Sequence, residues 1–155
     1  MPPATPKTAA REWIRGDCRI STDRASLDVE MVWGFLRDSY WAANIPRDIV
    51  ERSIEGSLPF GLYCESRQVG FARVITDMTT FAHLADVFVL DEFRGKGLGR
   101  WLMQVIMEHP ELTTIRRWSL ATRDAHGLYA KFGFTPLRDP SAFMERHRPN
   151  LHLER

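Results

Sequence analysis

Asp91-Glu92-Phe93-Arg94-Gly95-Lys96-Gly97-Leu98-Gly99-Arg100 is the stretch on which the reading of this chain turns. It follows an apolar, strand-like run from Leu84 to Leu90 and opens a second run, Leu98 to Met107, with helical periodicity. A strand, a glycine-rich turn and a helix together present backbone N–H groups to a phosphate. Glycine permits positive φ and lets a bulky anion approach the main chain, and the helix N-terminus contributes about half a positive charge. Arg94, Lys96 and Arg100 add whole charges, so the stretch reads as a pyrophosphate cradle. It is not a P-loop, because no Gly-Lys-Ser/Thr follows at the required spacing. It is not a dinucleotide fingerprint either, since Gly95, Gly97 and Gly99 are evenly spaced by two. Taken alone, the residues also fit a solvated basic turn with a helix cap.

A second stretch, Ala121-Thr122-Arg123-Asp124-Ala125-His126-Gly127-Leu128-Tyr129-Ala130-Lys131-Phe132-Gly133-Phe134, reads as a strand end, a cap at Asp124, two helical turns and a stop at Gly133. Ala125, Leu128, Tyr129 and Phe132 fall at i, i+3, i+4 and i+7, the stripe of an ordinary buried helix. Arg94, Gly97 and Gly99 match the pattern Arg/Gln-x-x-Gly-x-Gly/Ala, and Leu128, Tyr129, Gly133 and Phe134 match Leu-Tyr-x-x-x-Gly-Phe. With both motifs in order, the chain resembles the GNAT superfamily of acyl-CoA N-acyltransferases, as a small single-domain member of bacterial type. It departs from the pattern at Thr122, where the family usually carries an Asn that holds the cofactor arm.

The whole chain bounds this reading. A length of 155 residues, 44% hydrophobic and 26% charged, suits one domain with one sizeable core. A net charge of +1 gives no argument for nucleic-acid or membrane binding. The two cysteines, Cys18 and Cys64, are too few for a disulfide framework, which points to a reduced, cytoplasmic setting. No apolar stretch is long enough to span a bilayer, and the N-terminal Met1-Pro2-Pro3-Ala4-Thr5-Pro6 lacks the apolar core of a signal peptide. Residues 1–10 read as a disordered tail and 11–155 as a single domain.

Periodicity predicts a strand near Asp17 to Thr22, a helix from Leu27 to Tyr40 capped near Ser26, and a helix from Pro46 to Gly56. Phe60 to Cys64 and Val69 to Thr76 read as a hairpin turning at Ser66 to Gln68, with Phe81 to Leu90 antiparallel to it. After the long helix, Thr114 to Ala121, Phe134 to Leu137 and Ala142 to Arg146 read as strands, the last at an edge. The resulting order, β-α-α-β-β-β-α-β-α-β-β, resembles that of the GNAT family over roughly residues 17–146. The implied fold is α+β in three α/β/α layers, with a mixed, mostly antiparallel sheet of six or seven strands and about four helices.

The resemblance implies transfer of an acetyl group from acetyl-CoA to a primary amine in a ternary complex. The loop Arg94, Gly95, Lys96, Gly97, Leu98, Gly99 and Arg100 would hold the pyrophosphate, and Val87, Phe88 and Val89 would pair with the pantetheine arm. The Val87 N–H would face the thioester carbonyl, and Thr122 stands where the arm is held. Tyr129 would protonate the departing sulfur. A phenol near pKa 10 suits a thiolate whose acid lies near 8.5. For the base, Asp86 is the first candidate, as base or as the group binding a cationic amine, and a capping carboxylate is its plainer alternative. His83 is the second, and a half-exposed strand histidine is its plainer alternative. Strand alternation places the two on opposite faces, so they are not expected to act together. Asp124 reads first as a cap, and His126 in a supporting role.

Tyr40 and Trp41, between the first two helices, would form a substrate wall by stacking on an organic acceptor or closing around a cation. Aromatic packing at a helix end is the alternative there. No His, Cys, Asp and Glu cluster has metal-ligand spacing, so no metal is expected. The expected partner is a small-molecule amine, with the protein a monomer or homodimer. The alternatives are a catalytically weak CoA-binding sensor or a protein or peptide N-acetyltransferase.

Overall fold

A computed structural model describes residues 9–154. Among the described residues, six strands and four α-helices make up the fold, beside short 3₁₀ turns: β1 (Glu12–Arg15), β2 (Cys18–Ser21), α1 (Val29–Arg37), α2 (Arg47–Glu55), β3 (Leu58–Cys64), β4 (Arg67–Thr76), β5 (Phe81–Val89), α3 (Leu98–Met107), β6 (Arg117–Ser119) and α4 (His126–Ala130). The six strands form one sheet in sequential order. Every pair is antiparallel except β5–β6, which is parallel because α3 carries the chain back across the sheet. The fold is thus α+β, with a mixed, mostly antiparallel sheet.

Alternation along the strands divides the core in two. Ile20, Phe60, Leu62, Val74 and Leu84 pack with Leu102, Val105 and Ile106 of α3 and with Tyr129 of α4. On the opposite face, Phe71 and Phe88, direct register partners, pack with Val32 and Leu36 of α1 and Val50 and Ile54 of α2. Full burial of each such side chain contributes about 1.5–3 kcal/mol. That burial holds α1 and α2 to the sheet and so fixes the connection between them, where Tyr40 and Trp41 stand.

Several expectations are corrected. The strand expected from Asp17 to Thr22 is β2, but it is one arm of a hairpin whose other arm, β1, was not expected, turning at Gly16-Asp17. The first helix is capped by Asp28, whose carboxylate accepts from the Met31 N–H at 3.1 Å, and not near Ser26. The β3–β4 turn is two residues, Glu65 and Ser66, both at positive φ (52° and 70°), which matches the twist of the strands it joins. Residues 134–137 and 142–146 are not strands. Pro136 lacks a ladder donor, Pro140–Ala142 forms a 3₁₀ turn, and Phe143 and Met144 (98% exposed) have no face to bury. The expected tail lies outside the described residues for 1–8, while residues 9 and 10 are exposed and without regular structure.

The cysteines are also corrected. Cys18 and Cys64 are register partners on β2 and β3, with Cα atoms 4.1 Å apart, and they form a disulfide. Distance along the chain concealed a pairing that the sheet creates. Among the described residues no helix is long and apolar enough to cross a membrane.

Candidate active site

The parallel pair β5–β6 lasts for only three rungs, Phe81 with Arg117, Ala82 with Trp118 and His83 with Ser119. Beyond His83 the strands part. Leu84 to Val89 then run along a cleft with no strand on that side among the described residues, which leaves backbone donors and acceptors facing it. The cleft is a cavity of about 950 Å³ between β5, the loop before α3, residues 120–125, α4 and the α1–α2 connection. Among the residues singled out from sequence, Tyr40, Trp41, His83, Asp86, Val87, Phe88, Val89, Arg94, Gly95, Gly97, Leu98, Gly99, Thr122 and Tyr129 all line it. Lys96 and Arg100 do not; both are exposed, and Lys96 Nζ lies 5.3 Å from the centre of the Phe93 ring.

The loop before α3 is built as its composition requires. Gly95 and Gly97 take φ of 79° and 77°, and no heavy atom lies within 4 Å of where a Cβ would stand, so conformation, not space, selects glycine there. Gly97 caps α3 in the left-handed conformation, and no side chain accepts from the first turn of that helix. The leading N–H groups of a ten-residue helix are thus left for an anion in the cleft. Arg94 braces the loop: its Nε donates to the Val89 carbonyl at 3.0 Å, and its guanidinium lies 2.8 Å from the Asp91 carboxylate.

Tyr129 is 9% exposed, at the cleft's other wall. Burial raises its phenol pKa above the ordinary value, with smaller pushes from Tyr40 and Asp124, so the hydroxyl stays protonated at neutral pH. The expected cap at Asp124 is corrected. Ala125 takes the cap position of α4, and the Ala125 N–H donates to the Thr122 hydroxyl at 3.1 Å. Thr122 thereby orders the turn before α4 while its hydroxyl hydrogen remains able to donate.

Asp86 departs furthest from expectation. The β4–β5 register moves from Phe71–Phe88 to Arg73–Ala85, so β5 carries one extra residue, and Asp86 has φ of 56°. This is a β-bulge, and it resets the alternation. His83 and Asp86, placed on opposite faces by simple counting, both line the cavity. The Asp86 carboxylate accepts from Arg73 Nε at 2.6 Å and from the Trp41 indole at 2.9 Å, with the two side chains of the ion pair 9% and 17% exposed. Arg73 in turn donates to Ser57 Oγ at 3.0 Å. His83 is half-buried, with Nδ1 2.8 Å from Ser119 Oγ. Burial first, then Arg73, lowers its pKa against a smaller opposing effect of Asp86, so the ring is neutral at pH 7.

The α1–α2 connection reaches over the cleft at two points. The Trp41 indole bonds to Asp86, and Tyr40 Oη accepts from the Arg123 N–H at 3.2 Å while the Arg123 guanidinium lies 3.8 Å from the Tyr40 ring centre. Phe35 stacks on Phe88 at 3.8 Å and lines the same wall. Sequence reasoning missed Phe35, Arg73, Ser119 and Arg123. The first two read as a helix-face apolar residue and a strand cation; Ser119 depends on a parallel register, and Arg123 on a contact with Tyr40, neither of which any local signal shows. Among the described residues, no group of three or more His, Cys, Asp or Glu side chains is placed to hold a metal.

Known proteins agree with this architecture. Residues 56–136 match the family model of the acetyltransferase (GNAT) domain. The chain is 34% identical over 145 residues to a Gibberella zeae protein named as a candidate acetyltransferase, covering 80% of this chain and 82% of that one. A candidate acetyltransferase of the GNAT family from Xanthomonas campestris pv. campestris superposes with a TM-score of 0.85 at 51% identity, over 87% of this chain and 96% of that one. Glucosamine-6-phosphate N-acetyltransferase from Arabidopsis thaliana shares the fold at 14% identity, with a TM-score of 0.56 over 91% and 98% of the two chains. The chain belongs to the GNAT family of acetyltransferases.

Proposed function

We propose that the protein transfers the acetyl group of acetyl-CoA to the primary amine of a small molecule, in a ternary complex assembled in this cleft. The observation that carries the proposal is convergence on one cavity. An uncapped helix N-terminus, an unpaired strand edge and a protonated, buried phenol all face it. The first turn of α3 and the Gly95–Gly97 loop bind the pyrophosphate, and the free edge of Val87 to Val89 takes the pantetheine amides. The Val87 N–H stabilises the developing oxyanion.

The acceptor arrives as an ammonium and must lose a proton before its nitrogen can attack. His83, neutral and facing the cavity, takes that proton. Asp86 has two carboxylate contacts filled and further lone pairs open, so it holds the cationic acceptor in place. As the nitrogen–carbon bond forms, the carbon–sulfur bond breaks and Tyr129 gives its proton to sulfur. The tyrosinate then recovers a proton from the new amide nitrogen, and His83 releases its own to solvent. The bridges from Tyr40 to Arg123 and from Trp41 to Asp86 cross the acceptor side of the cleft, which favours a compact acceptor over a polypeptide.

A thiol-release assay with acetyl-CoA across a panel of small amines, run alongside Tyr129→Phe, tests the reading. Turnover on part of the panel with a large rate loss in the Phe variant supports it. Tight acetyl-CoA binding with no turnover would instead favour a CoA-binding sensor, a reading that the engaged state of Asp86 keeps open.

A further inference from the structure

The rung His83–Ser119 is the last before β5 and β6 part, so it stands at the apex of the cleft. The position has two consequences. Parallel pairing holds the backbones of the two residues, and their side chains meet across the rung with Nδ1 2.8 Å from Oγ. His83 itself lines the cavity. With Nδ1 engaged at the apex, Nε2 is the ring nitrogen left to meet an acceptor.

We infer that Ser119 is a positioning residue: its hydroxyl oxygen accepts the Nδ1–H of His83 and so holds the imidazole in the tautomer whose Nε2 lone pair receives the proton of the acceptor amine. The inference rests on the proposed role of His83 as base. A neutral imidazole carries one proton on one of two nitrogens, and only the Nδ1–H form leaves Nε2 basic. An acceptor at Nδ1 selects that form and also stabilises the imidazolium once the proton has moved. The charged and titratable groups that act on the ring are Arg73 on β4 and Asp86 on β5, which bond to one another. On the other side of the cavity stand Arg123, Asp124 and Tyr129. β6 contributes the neutral hydroxyl of Ser119, while the Arg117 guanidinium lies 5.0 Å from the Phe143 ring centre.

The test has two arms on the intact protein. In the first, Ser119→Ala lowers kcat about tenfold, the equivalent of one hydrogen bond, with KM for acetyl-CoA unchanged. It also moves the acid limb of the kcat/KM profile to lower pH by up to about one unit, because the imidazolium loses its acceptor. Ser119→Thr, which keeps the hydroxyl, restores both. A merely structural loss would move melting temperature or KM and leave the limb in place. In the second arm, nitrogen NMR of protein labelled at histidine shows His83 protonated at Nδ1 in wild type, with a shift toward Nε2 protonation in Ser119→Ala.

Wild-type turnover with an unmoved limb and full kcat in Ser119→Ala overturns the positioning role alone, as does an Nε2–H tautomer in wild type. Absence of wild-type turnover on every amine overturns the enzyme reading, and the NMR arm alone then decides whether Ser119 sets the tautomer.

Discussion

Replacing Gly97 by Ala and, separately, Gly99 by Ala separates two ways in which a glycine serves a phosphate loop. Gly97 sits at φ 77° and ψ 11° with nothing within 4 Å of a would-be Cβ. Alanine there meets no neighbour and bears only the left-handed conformational penalty, about 1–2 kcal/mol. In a domain of this size each kcal/mol moves Tm by about 2–4 °C, so Gly97→Ala should melt about 2–8 °C below wild type without any ligand. Gly99 is the second residue of α3, and its added Cβ would lie 3.9 Å from Val89 Cγ2, an ordinary contact. Alanine there gains helix propensity, up to about 1 kcal/mol, so the free protein should hold or raise its Tm.

Binding should follow the same ranking. The phosphate pattern admits Ala at the place of Gly99, so Gly99→Ala should bind CoA within a few-fold of wild type, whereas Gly97→Ala, which disturbs the left-handed turn that presents the N–H groups, should bind about tenfold more weakly. Thermal melts of the two free variants, followed by calorimetric titration with CoA, read both quantities. A Gly97→Ala protein that melts with wild type would refute the claim that conformation selects glycine at that position. A Gly97→Ala protein that binds CoA as wild type does would refute placement of the pyrophosphate on this turn.

Tyr129→Phe, nearly isosteric, should lower the rate of thiol release about 10²-fold or more with CoA affinity preserved; because burial raises the phenol pKa, the wild-type rate should not begin to fall below the ordinary phenol value of about 10. Loss of the Cys18–Cys64 bond, which spans 46 residues, should lower stability by about 4 kcal/mol on the loop-entropy account; urea midpoints with and without reductant, beside a Cys18→Ala/Cys64→Ala variant, measure it, and coincident curves would show that the bond contributes nothing. His109 is fully buried between the rings of Trp13 and Phe60; its Nδ1 accepts from the Glu111 N–H, its Nε2 has no partner, and burial lowers its pKa. A depressed histidine supports the fold fully above its unfolded pKa of about 6.5, and that support is lost as pH falls toward the folded value, at up to about 1.4 kcal/mol per unit; His109→Phe should flatten urea stability between pH 7 and 5, and an unchanged slope would remove His109 as the cause.

The parts of this fold legible from residues alone are those with a local cause. α2 begins after Pro46 and ends at Gly56 because those residues act within one turn. The glycine loop before α3 is legible because Gly95 and Gly97 answer a backbone requirement at their own positions. The disulfide and Ser119 were hidden for the opposite reason. Cys18 meets Cys64, and Ser119 meets His83, only once strands distant in sequence have taken their register. Residues 134–137 misled because Phe134 packs without a ladder: its N–H returns to the Tyr129 carbonyl, and its ring packs against Tyr129, while Leu137 stays exposed.

The bulge at Asp86 shows how one hidden backbone choice changes the chemistry available. Strict alternation sends His83 and Asp86 to opposite faces and forces a choice between them as base. One extra residue on β5, at φ 56°, returns Asp86 to the face of His83 and Arg73. A non-glycine residue in that conformation costs of order 1–3 kcal/mol and persists only where its surroundings hold it. Here the ion pair with Arg73 and the Trp41 indole do so. The two groups can then divide the work. In the mechanism we propose, the carboxylate engaged by Arg73 and Trp41 anchors the acceptor wall and its cation, while the imidazole, neutral at pH 7, receives the proton. Asp86→Asn separates these roles, because Asn tolerates the left-handed backbone but carries no charge for Arg73 or an ammonium. KM for the amine should rise about tenfold or more while the acid limb set by His83 persists. Loss of that limb in Asp86→Asn, with KM unchanged, would instead make Asp86 the base and reverse the assignment.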